Sequence, residues 1–190
     1  YEIDKETLYM CYETFYHPSN MVLFIAGDVD KDRVVKQVEN HFENLSFKWA
    51  PKSIERVFPK EPKRVYRQKV KEKLTVSMPM FALGFKDPIT TDVGKKLLRK
   101  LIANDIILDM LVGPSSEIYN KLYEEGLIDE SFSKNYTGEL NYGYAILSGQ
   151  SKDPERVANI LYEEMDLRKT EGWEIDMFER IRRKKTGQFI

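Results

Sequence analysis

Between Asp4 and Tyr16, the residues Leu8, Cys11, Tyr12 and Phe15 recur at i, i+3, i+4 and i+7, which places them on one face of a helix. Asp4 precedes the pattern as an N-cap, because its carboxylate can accept from the free amides of the first turn. Pro18 ends the helix, since a proline pushes the residue before it out of the helical region. The apolar run from Met21 to Ala26 is too short for a helix and is flanked by turn signals, so it is read as a buried strand. After the turn Gly27-Asp28-Val29-Asp30, Asp30 caps a second helix with Val34, Val35, Val38 and Phe42 on one stripe. The segment from Ala50 to Pro62, with three prolines among scattered charges, is read as an extended connection inside one domain.

The alternation weakens between Arg64 and Val70, where many cations suit a solvated or edge strand. Leu74 to Phe85 alternates and then turns apolar on both faces, predicting a long strand with Pro79 at an edge or bulge. A long helix is expected from about Thr91 to Leu111, with a second half apolar almost all round and therefore buried. Gly113-Pro114 breaks it. Ser115 or Ser116 caps a short helix bearing Ile118, Tyr119, Leu122 and Tyr123, which ends at Gly126. Phe132–Tyr136 and Tyr142–Ser148 alternate around Gly138 to Asn141, which predicts an antiparallel hairpin. Asp153-Pro154 opens another helix through Val157, Ile160, Leu161 and Leu167, and a last one starts near Glu174 with Ile175, Phe178 and Ile181. The fold class is α+β: helices packed on a mainly antiparallel sheet, in a single domain spanning 1–190.

Composition narrows what this fold can do. Hydrophobic residues at 42% and charged residues at 32% support a sizeable core and exclude a disordered chain. Lys+Arg 30 against Asp+Glu 31 leaves a net charge of -1, which argues against nucleic acid or an anionic membrane as partner. No apolar run approaches the roughly 20 residues that a membrane-spanning helix needs. The lone Cys11 excludes an intrachain disulfide framework and a cysteine-built zinc site, and its place on the first helix's stripe predicts a buried structural thiol. The chain begins at Tyr1 and stops at Ile190 within its last helix, as a piece of something longer would.

Zinc hydrolysis needs two or three converging nitrogen or carboxylate ligands, commonly with two histidines on one helical face. His17 and His41 are the only histidines and each sits alone near a helix end, where contact with terminal backbone groups accounts for it. Gly113-Pro-Ser-Ser116 suits helix capping better than an anion site. Tyr119, Tyr123, Tyr136, Tyr142 and Tyr144 could stack bases as aromatics do in RNA-binding sheets, yet core and cross-strand packing is the preferred account, since the net charge is near zero and no RNP-like Gly-Phe-Val-x-Phe string occurs. No catalytic kit and no metal site emerge from the residues themselves.

The stretch Phe15-Tyr-His-Pro-Ser-Asn-Met-Val-Leu-Phe-Ile-Ala-Gly-Asp-Val-Asp30 resembles a signature of the M16 zinc metallopeptidases, the family of pitrilysin, insulin-degrading enzyme and mitochondrial processing peptidase. Gly113-Pro-Ser-Ser-Glu-Ile-Tyr-Asn-Lys-Leu-Tyr-Glu-Glu-Gly-Leu127 is similar to a second family segment, and its Tyr-Glu-Glu-Gly-Leu-Ile-Asp variant resembles the bacterial YmfH-like branch. The resemblance implies a LuxS/processing-peptidase-like metallohydrolase fold and the C-terminal, inactive type of M16 domain. By that analogy the zinc and the general-base glutamate of an inverted His-x-x-Glu-His belong to an N-terminal domain, while this domain forms a wall of a peptide-holding chamber. The implied partners are that zinc-bearing domain or a homologous subunit, in a homodimer or heterodimer, and a peptide substrate, in the cytoplasm. An alternative within the family is a catalytically inactive scaffold or partner subunit. Active members place an arginine and a tyrosine where this chain has Tyr123 and Asp129, and a tyrosine lacks the fixed charge that stabilises an oxyanion. The resemblance thus leaves Ser115, Ser116 and Tyr123 as peptide-facing candidates, with no catalytic residue.

Overall fold

The computed structural model describes residues 3–44, 54–55, 57, 62–88 and 92–188. The chain divides into two compact units, Tyr1–Phe58 and Pro59–Ile190.

The first unit contains α1 (Lys5–Phe15) and α2 (Lys31–Asn44). Asp4 caps α1 as expected, with Oδ1 accepting from the Thr7 N–H at 2.8 Å, and Asp30 caps α2 through the Arg33 N–H at 3.1 Å. Two expectations fail here. None of the residues of α1 or α2 is buried, and Cys11 is exposed rather than a buried thiol. Helical periodicity decides which face is apolar; it does not supply the neighbour that covers it. Met21 to Ala26 forms no helix and no ladder with any described strand, and its Val22 and Phe24 are 94% and 85% exposed. Backbone conformation alone does not make a strand, because the hydrogen bonds belong to a partner strand. His17 is buried, and its Nδ1 accepts from the Ser19 N–H at 3.2 Å, capping the short 3₁₀ turn Pro18–Asn20. It therefore serves the element after it instead of the helix before it. The expected connection from Ala50 to Pro62 lies largely outside the described residues.

The second unit holds β1 (Met80–Lys86), α3 (Lys95–Val112), α4 (Glu117–Glu124), β2 (Ser133–Gly138), β3 (Gly143–Gln150), α5 (Pro154–Glu171) and α6 (Ile175–Gln188). Its sheet is antiparallel in the order β1-β3-β2, so the hairpin is confirmed and β3 is central. The segment from Arg64 to Val70 is irregular, and the predicted long strand is ordered only after Pro79, which marks its start. α3 begins at Lys95, later than predicted, behind Gly94 at φ 57. The chain is thus α+β, with helices against one face of an antiparallel sheet.

That packed face explains the core. Phe81, Leu83 and Phe85 of β1 and Leu147 of β3 meet Leu108, Leu111 and Val112 of α3, Leu122 of α4 and Val157 and Leu161 of α5. Leu83 lies opposite Leu147 in register, so the core is continuous across the two strands. α4 ends in a Schellman turn: the Leu127 N–H donates to the Leu122 carbonyl at 2.9 Å and the Gly126 N–H to the Tyr123 carbonyl at 3.0 Å. Gly126 sits at φ 63, a conformation that glycine adopts without strain. Among the described residues no helix is long and apolar enough to cross a membrane.

Two polar knots fasten this unit. Asp109 lies in the apolar half of α3 and is only 4% exposed. Its carboxylate meets Lys134 Nζ of β2 at 2.5 Å and Lys185 Nζ of α6 at 3.2 Å, and Lys185 also reaches Asp105 at 2.6 Å. At the hairpin end, Asp87 Oδ2 accepts from the Tyr136 hydroxyl and from Lys100 Nζ, each at 2.5 Å. Gly143 permits this approach, since a Cβ there would stand 2.9 Å from that oxygen. Burial and then the hydrogen bond to Asp87 push the Tyr136 phenol far above its usual range. Tyr136 is expected to stay un-ionised in an alkaline titration monitored by phenolate absorbance, where exposed tyrosines ionise near pH ~10. Because its folded pKa is raised, the protonated phenol stabilises the fold at lower pH, and that stability falls as pH rises above about 10. A Tyr136→Phe variant should lose the resistant fraction from the titration.

Candidate functional site

Ser116 is the N-cap of α4: its Oγ accepts from the Tyr119 N–H at 3.2 Å and the residue is buried. Its hydroxyl is thereby engaged in helix capping. Ser115 is exposed and lies with Ser116, Glu117, Arg168 and Trp173 in a polar cleft of about 270 Å³ where α4 begins beside α5 and α6. Tyr123 stands seven residues further on, about 10 Å along the helix, and does not line that cleft. Its ring stacks on Tyr119 at 6.1 Å, Tyr119 meets Phe132 at 6.0 Å, and Phe132 meets Phe81 at 6.2 Å. An aromatic chain therefore runs from the exposed Tyr123 down to the start of β1. The structure does not gather the three candidates into one pocket.

Asp129 closes the connection from α4 to β2. Its Oδ1 accepts from the Ser131 N–H at 2.9 Å and from the Ser131 hydroxyl, while Ser131 Oγ accepts from the Gln150 N–H at 3.0 Å. The Ser131 hydroxyl, then its amide, holds the Asp129 carboxyl below the usual carboxylate range. Asp129 is thus an ionised turn residue that pins the beginning of β2 to the end of β3.

The sheet face turned away from the core was missed as a candidate. Register places Ala82, Ser148 and Ser133 in one row across the sheet, Gly84, Ile146 and Asn135 in the next, and Lys86, Tyr144 and Thr137 in a third. Ser133 Oγ and Ser148 Oγ are 3.0 Å apart, and Asn135 Nδ2 donates to Thr137 Oγ1 at 3.1 Å. Beyond Thr137, Tyr144 stacks on Tyr142 at 6.3 Å with their planes 11° apart. Lys86 is the single charged residue in these rows, and Ala82, Gly84, Ser133, Asn135 and Tyr144 are exposed. The signal was present as Ser133, Asn135 and Thr137 alternating with the inward Lys134 and Tyr136, but only strand pairing aligns it with Ser148.

Chemically, this face offers hydroxyls, one amide and aromatic rings, with no acid–base pair. Among the described residues no three His, Cys, Asp or Glu side chains come together to hold a metal. His41 is exposed in the last turn of α2 and His17 is engaged with Ser19, so the described histidines do not fit a zinc centre.

The family described as "Peptidase M16 inactive domain" matches residues 2–185. A zinc protease of Bacillus subtilis (strain 168), the uncharacterized YmfH, is 38% identical over 188 residues, 99% of this chain and 44% of that protein. The zinc protease PqqE of Helicobacter pylori is 29% identical over 126 residues, 64% of this chain and 26% of its own. An M16-like peptidase from Alicyclobacillus acidocaldarius superimposes with a TM-score of 0.82 at 37% identity, covering 98% of this chain and 44% of that one. An insulinase family protease from Yersinia pestis, at 18% identity and a TM-score of 0.57, shares the fold. The chain belongs to the M16 peptidase family and corresponds to its inactive domain. It spans less than half the length of the curated relatives it matches.

Proposed function

We propose that this chain is a non-catalytic wall of a peptide-holding chamber in a bacterial, cytoplasmic M16-like zinc peptidase. The supporting observation is the outward sheet face. Its small, hydroxyl and amide side chains can hydrogen-bond to a peptide backbone, and its scarcity of charge lets peptides of varied sequence approach. Among the described residues β1 and β2 are the outer strands of the sheet, and their edges would offer partial backbone pairing as well. Tyr142 and Tyr144 supply apolar area at one end of the lane, while Ser115 and Tyr123 would touch peptide only outside it. Zinc and the water-activating glutamate would come from a partner domain of the same polypeptide or a homologous subunit, as the names of the zinc-protease relatives suggest. An inverted His-x-x-Glu-His in that partner separates the peptidase from an inactive scaffold homologue.

The test is amide and side-chain NMR of the chain titrated with a flexible, unstructured peptide. Shifts should cluster at Ser133, Asn135, Thr137, Tyr144 and Ser148. Shifts confined to Ser115 and Arg168, or none at millimolar peptide, would remove the chamber-wall role.

A further inference from the structure

We propose that the open groove between α3 and α6 seats an acidic amphipathic helix supplied by polypeptide outside this chain. Two rows along α3 form its floor. Leu98, Ile102, Ile106 and Met110 follow one another at four-residue steps, and beside them run Lys95, Arg99, Ala103 and Ile107 at the same step. Parallel i+4 ridges with a furrow between them are the surface into which another helix packs its own ridge, and the small Ala103 lets it come close. The floor extends over about 22 Å, the length of roughly four helical turns, and the groove encloses about 800 Å³.

α6 covers only one end of this surface. Ile181 is buried against Ile106 and Met110, with Trp173 and Met177 beside them. Toward the start of α3 the floor is open: Leu98 is 53% exposed, and Ile175 on the opposite wall is 77% exposed. Ile175, Phe178 and Ile181 are apolar positions of α6, yet only Ile181 is buried, while Ile175 and Phe178 stay exposed.

Charge specifies the occupant. α3 starts at Gly94 without a side-chain cap, and its first turn contains no acidic residue. Lys95, Lys96 and Arg99 add positive charge where the helix dipole is already positive, the reverse of the favourable arrangement. Lys100 is balanced by Asp87, but Lys95 and Arg99 have no ion-pair partner among the described residues. A helix with an apolar stripe and carboxylates at the end facing Lys95 and Arg99 satisfies both features. A second copy of this surface would bring two lining cations and only one lining carboxylate, Glu174, leaving the contact net positive. Relatives of more than twice this length contain ample further polypeptide to provide the helix. The seat does not depend on peptide binding at the sheet, since a scaffold homologue would use it equally.

The experiment places a benzophenone amino acid at Ile102, and separately at Leu98, in the full-length protein that contains this chain. After irradiation the crosslinked peptides are identified by mass spectrometry. The expected partner is a segment outside residues 1–190 with carboxylates flanking an apolar helical stripe. Reversing the rim with Lys95→Glu and Arg99→Glu together should lower that crosslink about fivefold, as two exposed ion pairs would. A crosslink to the same face of a second copy, to residues within 1–190, or to no polypeptide at all would overturn the proposal.

Discussion

Asp109→Ala is expected to destabilise the chain by about 3 kcal/mol, the lower end of the cost of breaking a buried ion pair, because Asp109 is buried while Lys134 and Lys185 are only partly so. Asp109 is almost wholly inaccessible and takes Lys134 on one oxygen and Lys185 on the other. Lys185 keeps Asp105 when Asp109 is lost, whereas Lys134 has no second ion pair among the described residues. The greater share of the loss therefore falls on the junction of α3 with β2. A double variant, Asp109→Leu with Lys134→Met, should recover most of the stability, because a well-packed apolar pair avoids the desolvation cost of both ions. Urea unfolding of the two variants beside the native chain measures this directly. If Asp109→Ala lost under 1 kcal/mol, the buried ion pair would not be fastening these elements.

The same group predicts acid sensitivity. Burial alone would raise the Asp109 pKa, but the hydrogen bonds and charges of Lys134 and Lys185 outweigh it, and the folded-state pKa lies below the usual value. A carboxyl with a lowered folded pKa contributes its stability in full well above its unfolded pKa of about 3.9. That contribution declines as pH falls below the unfolded value and is gone once pH passes the folded one. The gap in urea midpoint between the native chain and Asp109→Ala should hold from neutrality to about pH 5 and narrow below about pH 4.

Leu122→Ala is the second large effect, expected at about 2–5 kcal/mol for a fully buried leucine truncated in a packed core. Leu122 lies inside the family segment from Gly113 to Leu127, and two roles meet at this residue. Its side chain fills the core, and its carbonyl accepts from both the Leu127 and Ile128 amides, at 2.9 and 3.3 Å. Leu127 and Ile128 are buried in the same cluster, so shrinking Leu122 also loosens the end of α4. The apolar positions of this segment are structural. Thermal or urea unfolding should show the loss, with the helix content of the remaining folded protein little changed.

How much of this was legible depended on the range of the forces involved. The caps Asp4, Asp30 and Ser116 and the Schellman glycine Gly126 were readable because their partners lie within a few residues. The hairpin was readable for the same reason, whereas the long strand expected from Leu74 begins only at Met80, with Pro79 before it rather than within it. Met21 to Ala26 and Arg64 to Val70 were misassigned because strand formation depends on a distant partner that composition does not reveal. Cys11 was misplaced because an apolar stripe specifies a face and not its cover. Asp109 was passed over as one acid in an apolar run, since its cations come from β2 and α6. For the site, the family segment singled out Ser115, Ser116 and Tyr123, which the structure sets in separate surroundings: Ser116 caps α4, Ser115 lines the cleft and Tyr123 stacks on Tyr119. The row formed by Ser133 and Ser148 needed the register of two strands to become visible.

On the proposed function, the catalytic zinc centre belongs to a partner domain and this chain faces the peptide. Calorimetric titration of the purified 190-residue chain with zinc tests it most directly, with a quenched peptide substrate added to the zinc-loaded sample. The expected result is no stoichiometric zinc binding in the low micromolar range and no zinc-dependent cleavage. One zinc bound per chain at that affinity, together with cleavage abolished by a chelator, would contradict it.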